Sequence, residues 1–205
     1  MNKKVIIIGA GGHAKVVADA IRKSGDILIG FLDDDKTRSG ENFCGARILG
    51  TLSSYSEFAF DAEFIIAIGN NNVRKSISES MTCKWYTAVH PSASIGEGAI
   101  LDEGAFVAAG AVINADARIG KHTIVNTCAV VEHDCSIGAF VHVSPRATVC
   151  GACSVGELSW LGAGSTVING LTVCKEAVIG AGATVIRDIE NKGTYVGVPA
   201  RRLAD

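Results

Sequence analysis

The chain of 205 residues carries 19 basic and 21 acidic side chains, a formal net charge of −2. That balance excludes a protein that holds nucleic acid or an anionic membrane surface through a basic excess. With 24 glycines and only 6% aromatics, a core must be built from aliphatic and small side chains, and the length suits one large domain or two small ones.

The first apolar run, Lys4-Val-Ile-Ile-Ile8, reads as a buried strand. It is far too short to span a membrane and no cleavage site follows, so neither a signal peptide nor a transmembrane helix is expected. The expected location is the cytoplasm, with reduced thiols. Gly9-Ala-Gly-Gly-His-Ala14 is a glycine-rich turn. Lys15 to Lys23 then places Val16, Val17, Ala20 and Ile21 at helical spacing. Ile27 to Leu32 reads as a second strand, ending in Asp33-Asp34-Asp35, and Phe64 to Ile68 as a third, closed by Gly69-Asn-Asn-Asn72. Val73 to Met81 reads as helical, and Lys84 to Val89 leads out of the segment. Residues 1–88 are therefore predicted to be a small parallel α/β domain, half of a Rossmann-like fold.

The turn and the acidic cluster after it match a dinucleotide fingerprint, G-x-G-x-x-A. A dinucleotide needs two mononucleotide-binding halves, and only one fits before Val89. The residues point instead to a nucleotide-linked substrate lying across the strand ends. Backbone N–H groups at Gly11 and Gly12 can approach it closely, and Asp33 and Asp34 can accept hydrogen bonds from its hydroxyl or base N–H groups. The competing reading is a capping domain whose glycines only turn the chain.

From Val89 to Val185, every sixth residue is Ile, Leu or Val, at all seventeen positions. Chance agreement is roughly one in 10¹⁰ or less. The fifth position of each hexad is mostly small, as at Ala105, Ala111, Ala117, Ala129 and Ala147, with Val141 and Leu171 as larger exceptions. A period of six fits neither helix nor isolated strand. It fits a chain that turns a corner every six residues, three hexads closing one triangular coil with the aliphatic residue inside. Residues 89–186 are predicted to form this β-helix, and residues 187–205 a C-terminal tail. A prism of this kind has flat walls and no deep pocket of its own, so a binding site needs partner subunits or appended segments.

Seven cysteines are an odd number for a disulfide framework. Cys150-x-x-Cys153 lacks a second Cys/His pair at zinc spacing, so both read as small packing residues and no metal is expected. Of the five histidines, His90 precedes Pro91 and reads as structural. His122 replaces a turn residue and is expected to be solvated. His133 stands at the third, corner position of its hexad between Glu132 and Asp134. A base that deprotonates an amine or hydroxyl needs a pKa near neutrality and a fixed tautomer, and an adjacent carboxylate supplies both. One coil further, at the same corner, Gly151 leaves space for a reacting group, and its N–H can face a developing oxyanion. The competing reading of His133 is a solvated corner.

These residues resemble a known family, the bacterial sugar-nucleotide acyltransferases that acetylate an amino-sugar nucleotide, with the related sialic acid O-acetyltransferases. The resemblance covers nearly the whole chain. It is carried by Gly9-Ala-Gly-Gly-His13, Phe31-Leu-Asp-Asp34, Ala67-Ile-Gly-Asn70, Val131-Glu-His-Asp-Cys135 and Tyr195-Val-Gly-Val-Pro-Ala200, in that order. It implies a left-handed β-helix behind the α/β domain, and His133 as general base with Asp134 tuning its basicity. It also implies nucleotide-sugar contacts at Gly11, Gly12, His13, Asp33, Asp34 and Gly69. Acetyl-CoA contacts are implied at His142, Ala163 and Ala181, with Gly151 beside the thioester and the tail closing over CoA. The implied assembly is a homotrimer with its site between neighbouring prisms. Pro145-Arg146 departs from the smaller turn of many members; Arg146 reads either as solvated or as favouring a phosphate.

The expected reaction is direct transfer from acetyl-CoA to the amine of a nucleotide-linked amino sugar, of the 4-amino-4,6-dideoxy type, in bacterial surface-glycan biosynthesis. No cysteine has a neighbour suited to nucleophile activation. The rival readings are O-acetylation of a sugar such as sialic acid, a non-catalytic nucleotide-binding regulator, and a structural trimerisation module.

Overall fold

The computed structural model describes residues 2–203. The chain divides into two compact units, the first ending at Pro91 and the second beginning at Ser92. No helix among the described residues is long and apolar enough to cross a membrane.

The first unit is a five-stranded sheet flanked by two helices. In chain order it runs β1 (Lys4–Ile8), α1 (Gly12–Lys23), β2 (Ile27–Leu32), β3 (Asn42–Phe43), β4 (Ala46–Gly50), β5 (Glu63–Ile66) and α2 (Asn71–Ser80). The strand order is β3-β4-β2-β1-β5, parallel except for the β3–β4 edge. Val5 to Ile8 are fully buried because β1 is an interior strand, paired on either side with β2 and β5. Helix α1 is amphipathic and buries Ala14, Val17, Ala18, Ala20 and Ile21. The β3–β4 hairpin was not foreseen from the sequence. Its turn is Cys44-Gly45, with φ of 48° and 75°, and a cysteine there conceals the Asn-Gly or Asp-Gly signal that two-residue hairpins usually carry.

The second unit is the expected prism. Two-residue strands stack in parallel with their neighbours eighteen residues away, as in Val131↔Val149, His142↔Trp160 and Ile137↔Val155. The first sheet contains Val112–Ile113, Val130–Val131 and Thr148–Val149. The second contains Arg118–Ile119, Ser136–Ile137 and Ser154–Val155. The third contains Ile124–Val125, His142–Val143 and Trp160–Leu161. The hexad aliphatics from Val107 to Val185 are at most 2% exposed. Each such burial contributes about 1.5–3 kcal/mol.

Each corner is tight for a reason visible in its backbone. The fourth hexad residue takes positive φ, whether glycine (Gly98, Gly104, Gly110) or not (Asp116, Asp134, Arg146). Polar fifth residues donate back to a corner carbonyl of the next coil: Thr123 Oγ1 to Gly138 O at 2.7 Å, and Ser159 Oγ to Cys174 O at 2.9 Å. Cys135 and Cys153 occupy the same position, their thiols on Cys150 O and Ile168 O at 3.1 Å.

His122 is not solvated. It is 3% exposed and stacks on Phe140, ring centroids 5.3 Å apart. Gly104 lies below it, where a Cβ would come within 2.3 Å of its Nδ1. That glycine makes room for the ring to lie flat against the corner. His90, read as structural, is 7% exposed. The tail continues the third sheet: Gly193–Val196 pairs in parallel with Ala177–Ile179, and Arg201–Arg202 returns antiparallel to it.

Candidate active site

His133 sits just beyond the strand Val130–Val131, at a corner of the prism. Its backbone is locked between coils. Its carbonyl accepts Ala152 N–H at 2.9 Å, and Asp134 N–H donates to Ala115 O at 3.1 Å. Asp134 occupies the left-handed position, φ 59°, which aspartate tolerates better than most residues. Its Oδ2 lies 2.8 Å from His133 Nδ1. An imidazole that shares Nδ1 with a carboxylate keeps its proton there and presents Nε2 as the free acceptor. The pairing raises the His133 pKa, chiefly through the Asp134 hydrogen bond; desolvation works against it, and the charges of Asp134 and Glu132 add smaller upward contributions. Both side chains are about 60% exposed, at 60% and 62%.

Gly151 stands directly above. A Cβ there would lie 2.7 Å from both Cε1 and Nε2 of His133, so the imidazole occupies the space that any larger residue would need. Cys150 N–H and Ala152 N–H both donate to neighbouring coils. Among the described residues no acceptor takes the Gly151 N–H. Glu132 is turned to Asn114, whose Nδ2 donates to its Oε2 at 2.7 Å. The sequence reading did not single out Asn114; only the stacking of coils puts it beside Glu132.

His142, Ala163 and Ala181 come together in a different place. They line one groove of about 420 Å³ on the third sheet, with Ser144, Pro145 and Trp160. The His142 ring stacks on Trp160, centroids 5.9 Å apart and planes 3° from parallel. Asn126 Nδ2 donates to its Nε2 at 3.0 Å, and Trp160 Nε1 donates to Ser144 Oγ at 2.7 Å. Asn126 and Trp160 were also missed. An available signal was the tryptophan itself, one of two in the chain, at an outward hexad position. Gly151 is not in this groove but with His133. The groove and the His133 corner belong to different sheets and different edges of the prism.

In the first unit the named residues gather at the carboxyl ends of β1, β2 and β5. Gly11 is the extended N-cap of α1, and a Cβ at Gly11, Gly12 or Gly69 would meet nothing within 4 Å. These three glycines answer no crowding inside the unit and leave the backbone open to a ligand. Gly9 differs: its φ is +95°, and a Cβ would lie 3.0 Å from Ile68. Asp33 braces the turn, accepting Ala10 N–H at 2.7 Å on Oδ2 and Asp35 N–H at 3.0 Å on Oδ1. Asp34 Oδ1 accepts Leu52 N–H at 3.0 Å. His13 is half-buried in the first turn of α1. Arg38, absent from the sequence reading, donates to Ala10 O at 2.9 Å.

The two buried cysteines of the prism are poor nucleophiles. Burial pushes the Cys135 thiol up to about 11 and raises Cys153 as well. Among the described residues no cluster of three or more His, Cys, Asp or Glu is placed to hold a metal ion.

A small α/β unit followed by a prism of hexapeptide coils is the architecture of the left-handed β-helix acyltransferases. The family described as PglD N-terminal domain matches residues 4–81. The acetyltransferase domain of PglB from Neisseria gonorrhoeae, solved with acetyl coenzyme A, is 36% identical with a TM-score of 0.92, over 99% of this chain and 100% of that one. PerB from Caulobacter crescentus, solved with CoA and GDP-perosamine, is 36% identical with a TM-score of 0.91, over 98% of this chain and 97% of that one. A curated UDP-N-acetylbacillosamine N-acetyltransferase of Bacillus subtilis is 41% identical over 115 residues, 52% of this chain and 52% of its own length. A protein of Acanthamoeba polyphaga mimivirus is 32% identical over 122 residues, 24% of its length. The chain thus spans about a quarter and about half of the curated relatives it matches. It belongs to the family of sugar-nucleotide N-acetyltransferases.

Proposed function

We propose that the protein transfers the acetyl group of acetyl-CoA to the amino group of a nucleotide-linked amino sugar, without an acyl-enzyme. The observation that carries this is the His133 Nδ1–Asp134 Oδ2 pair at 2.8 Å. It leaves Nε2 as the free acceptor of an exposed ring, one coil from Gly151, whose N–H has no acceptor among the described residues. The amine attacks the thioester carbonyl, and Gly151 N–H stabilises the oxyanion that forms. His133 Nε2 takes the ammonium proton. The intermediate then collapses with loss of the CoA thiolate, which the imidazolium reprotonates.

The largely apolar groove at His142, Ala163 and Ala181 suits the pantetheine arm, and the exposed Arg201 and Arg202 of the tail supply positive charge for CoA phosphates. Gly11, Gly12, His13, Asp34 and Gly69 bind the nucleotide sugar, with Asp33 holding the turn. Because the base and the groove lie on different edges of one prism, a homotrimer that sets the corner of one copy against the groove of the next completes the site. The acceptor is an amino sugar of the 4-amino-4,6-dideoxy type, and the product feeds bacterial glycan assembly. The seven free cysteines fit a reducing, cytoplasmic setting.

A thiol-release assay with acetyl-CoA and a panel of UDP-, dTDP- and GDP-linked amino sugars tests the reading. Turnover with at least one of them is expected. Turnover of sialic acid alone would replace it with O-acetylation, and release with none of the panel would reject it.

A further inference from the structure

Arg74 is the largest side chain buried in the protein that carries a charge, 1% exposed in helix α2. Its guanidinium reaches back under the loop after β5. Nη1 donates to Ile68 O at 2.9 Å and Gly69 O at 3.2 Å, and Nη2 donates to Asn71 Oδ1 at 2.9 Å. Burial lowers its pKa to about 9, so the group remains a cation near neutrality.

The loop it holds is the one that meets the glycine-rich turn. Ala67 N–H donates to Ile8 O at 2.8 Å, and Ile68 packs against Gly9. Two successive carbonyls turned inward onto one guanidinium leave the outer side of Gly69 free, and a Cβ there would meet nothing within 4 Å. A cation in the first turn of a helix opposes the helix dipole and is ordinarily unfavourable. Here α2 has no acidic residue in that turn. The same placement favours an anion arriving at the strand ends.

We infer that Arg74 is a positioning residue for the nucleotide diphosphate. It fixes the Ile68–Gly69 loop in its open form and adds buried positive charge beneath it. The inference rests on the proposed nucleotide-sugar site. Arg is suited to this role because its rigid planar fork spreads two nitrogens to reach the loop carbonyls and Asn71 together, whereas a lysine ammonium is a single compact point charge.

The test compares the whole protein with Arg74→Lys and Asn71→Ala, measuring calorimetric Kd for UDP, dTDP, GDP and, separately, acetyl-CoA. Arg74→Lys is expected to weaken nucleotide binding about tenfold or more and Asn71→Ala by a few-fold, with acetyl-CoA affinity unchanged. The amino-sugar KM should rise with them while kcat at saturation holds. Equal nucleotide affinity in folded variants overturns the inference. So does a parallel loss of both affinities, the mark of a merely structural role. If Arg74→Lys does not fold, Asn71→Ala decides. A wild type that binds acetyl-CoA but none of the three nucleotides overturns the site itself along with Arg74's role in it.

Discussion

Gly151 and His133 are stacked one coil apart, so close that a methyl group on the glycine would fall 2.7 Å from Cε1 and Nε2 of the imidazole. The ring, about 60% exposed at the corner, is free to swing away, whereas the backbone beneath it is pinned by bonds to two coils. Gly151→Ala should therefore leave the melting temperature within a few degrees of wild type. It should lower kcat/KM by about 10²-fold, because the proposed base is displaced from Asp134 and from the reacting amine. Unchanged kcat/KM in the folded variant would remove Gly151 from the site.

His133→Ala should reduce kcat/KM by roughly 10²–10⁴, the size of a lost general base, with both ligand affinities nearly intact. His133→Asn should do about the same, since it stays polar but cannot accept the proton. Near-normal turnover in His133→Ala combined with loss in His142→Ala would move the base to the groove.

The pH profile follows from the Asp134 pairing. The base works only when neutral, and its pKa is raised above the ordinary 6.5. kcat/KM should accordingly rise through an apparent pKa above that value and be lost as pH falls through it. Asp134→Asn removes the largest cause of the shift, so its rising limb should move to lower pH, with a smaller drop in maximal rate than His133→Ala. The acceptor amine titrates too, and comparison of the variants separates the two: a limb that does not move in Asp134→Asn belongs to the amine.

Trp160 is 48% exposed yet fixed by its bond to Ser144 and its stack on His142. Trp160→Ala opens the groove wall and is expected to raise the KM for acetyl-CoA about tenfold, as the loss of an aromatic contact does. The KM for the nucleotide sugar should stay near wild type. A change in the sugar KM alone would place CoA elsewhere.

Light scattering at micromolar concentration is expected to give a trimer. A monomer that turns over at full rate would mean that one prism brings base and groove together by itself, against their placement on separate edges.

The sequence alone determined the prism. Its period of six survives in any window because each aliphatic residue faces the same interior, so Val131, Val149 and Val167 announce their stack without coordinates. The α/β unit was legible through other local signals, the apolar run of β1, the helical spacing of α1 and the glycine turn between them. The β3–β4 hairpin was not, since Cys44 at φ 48° carries no turn signature. His122 was misread because solvation depends on what lies one coil below, and Gly104 is eighteen residues away. Only the tertiary structure could decide such pairings. Asn114 reaches Glu132 across coils, Asn126 reaches His142, and Arg74 turns back from its helix to hold Ile68 and Gly69. Sequence spacing fixes which residues share a wall of the prism; side-chain direction and burial fix which of them touch, and those are set by packing between coils and not by the period.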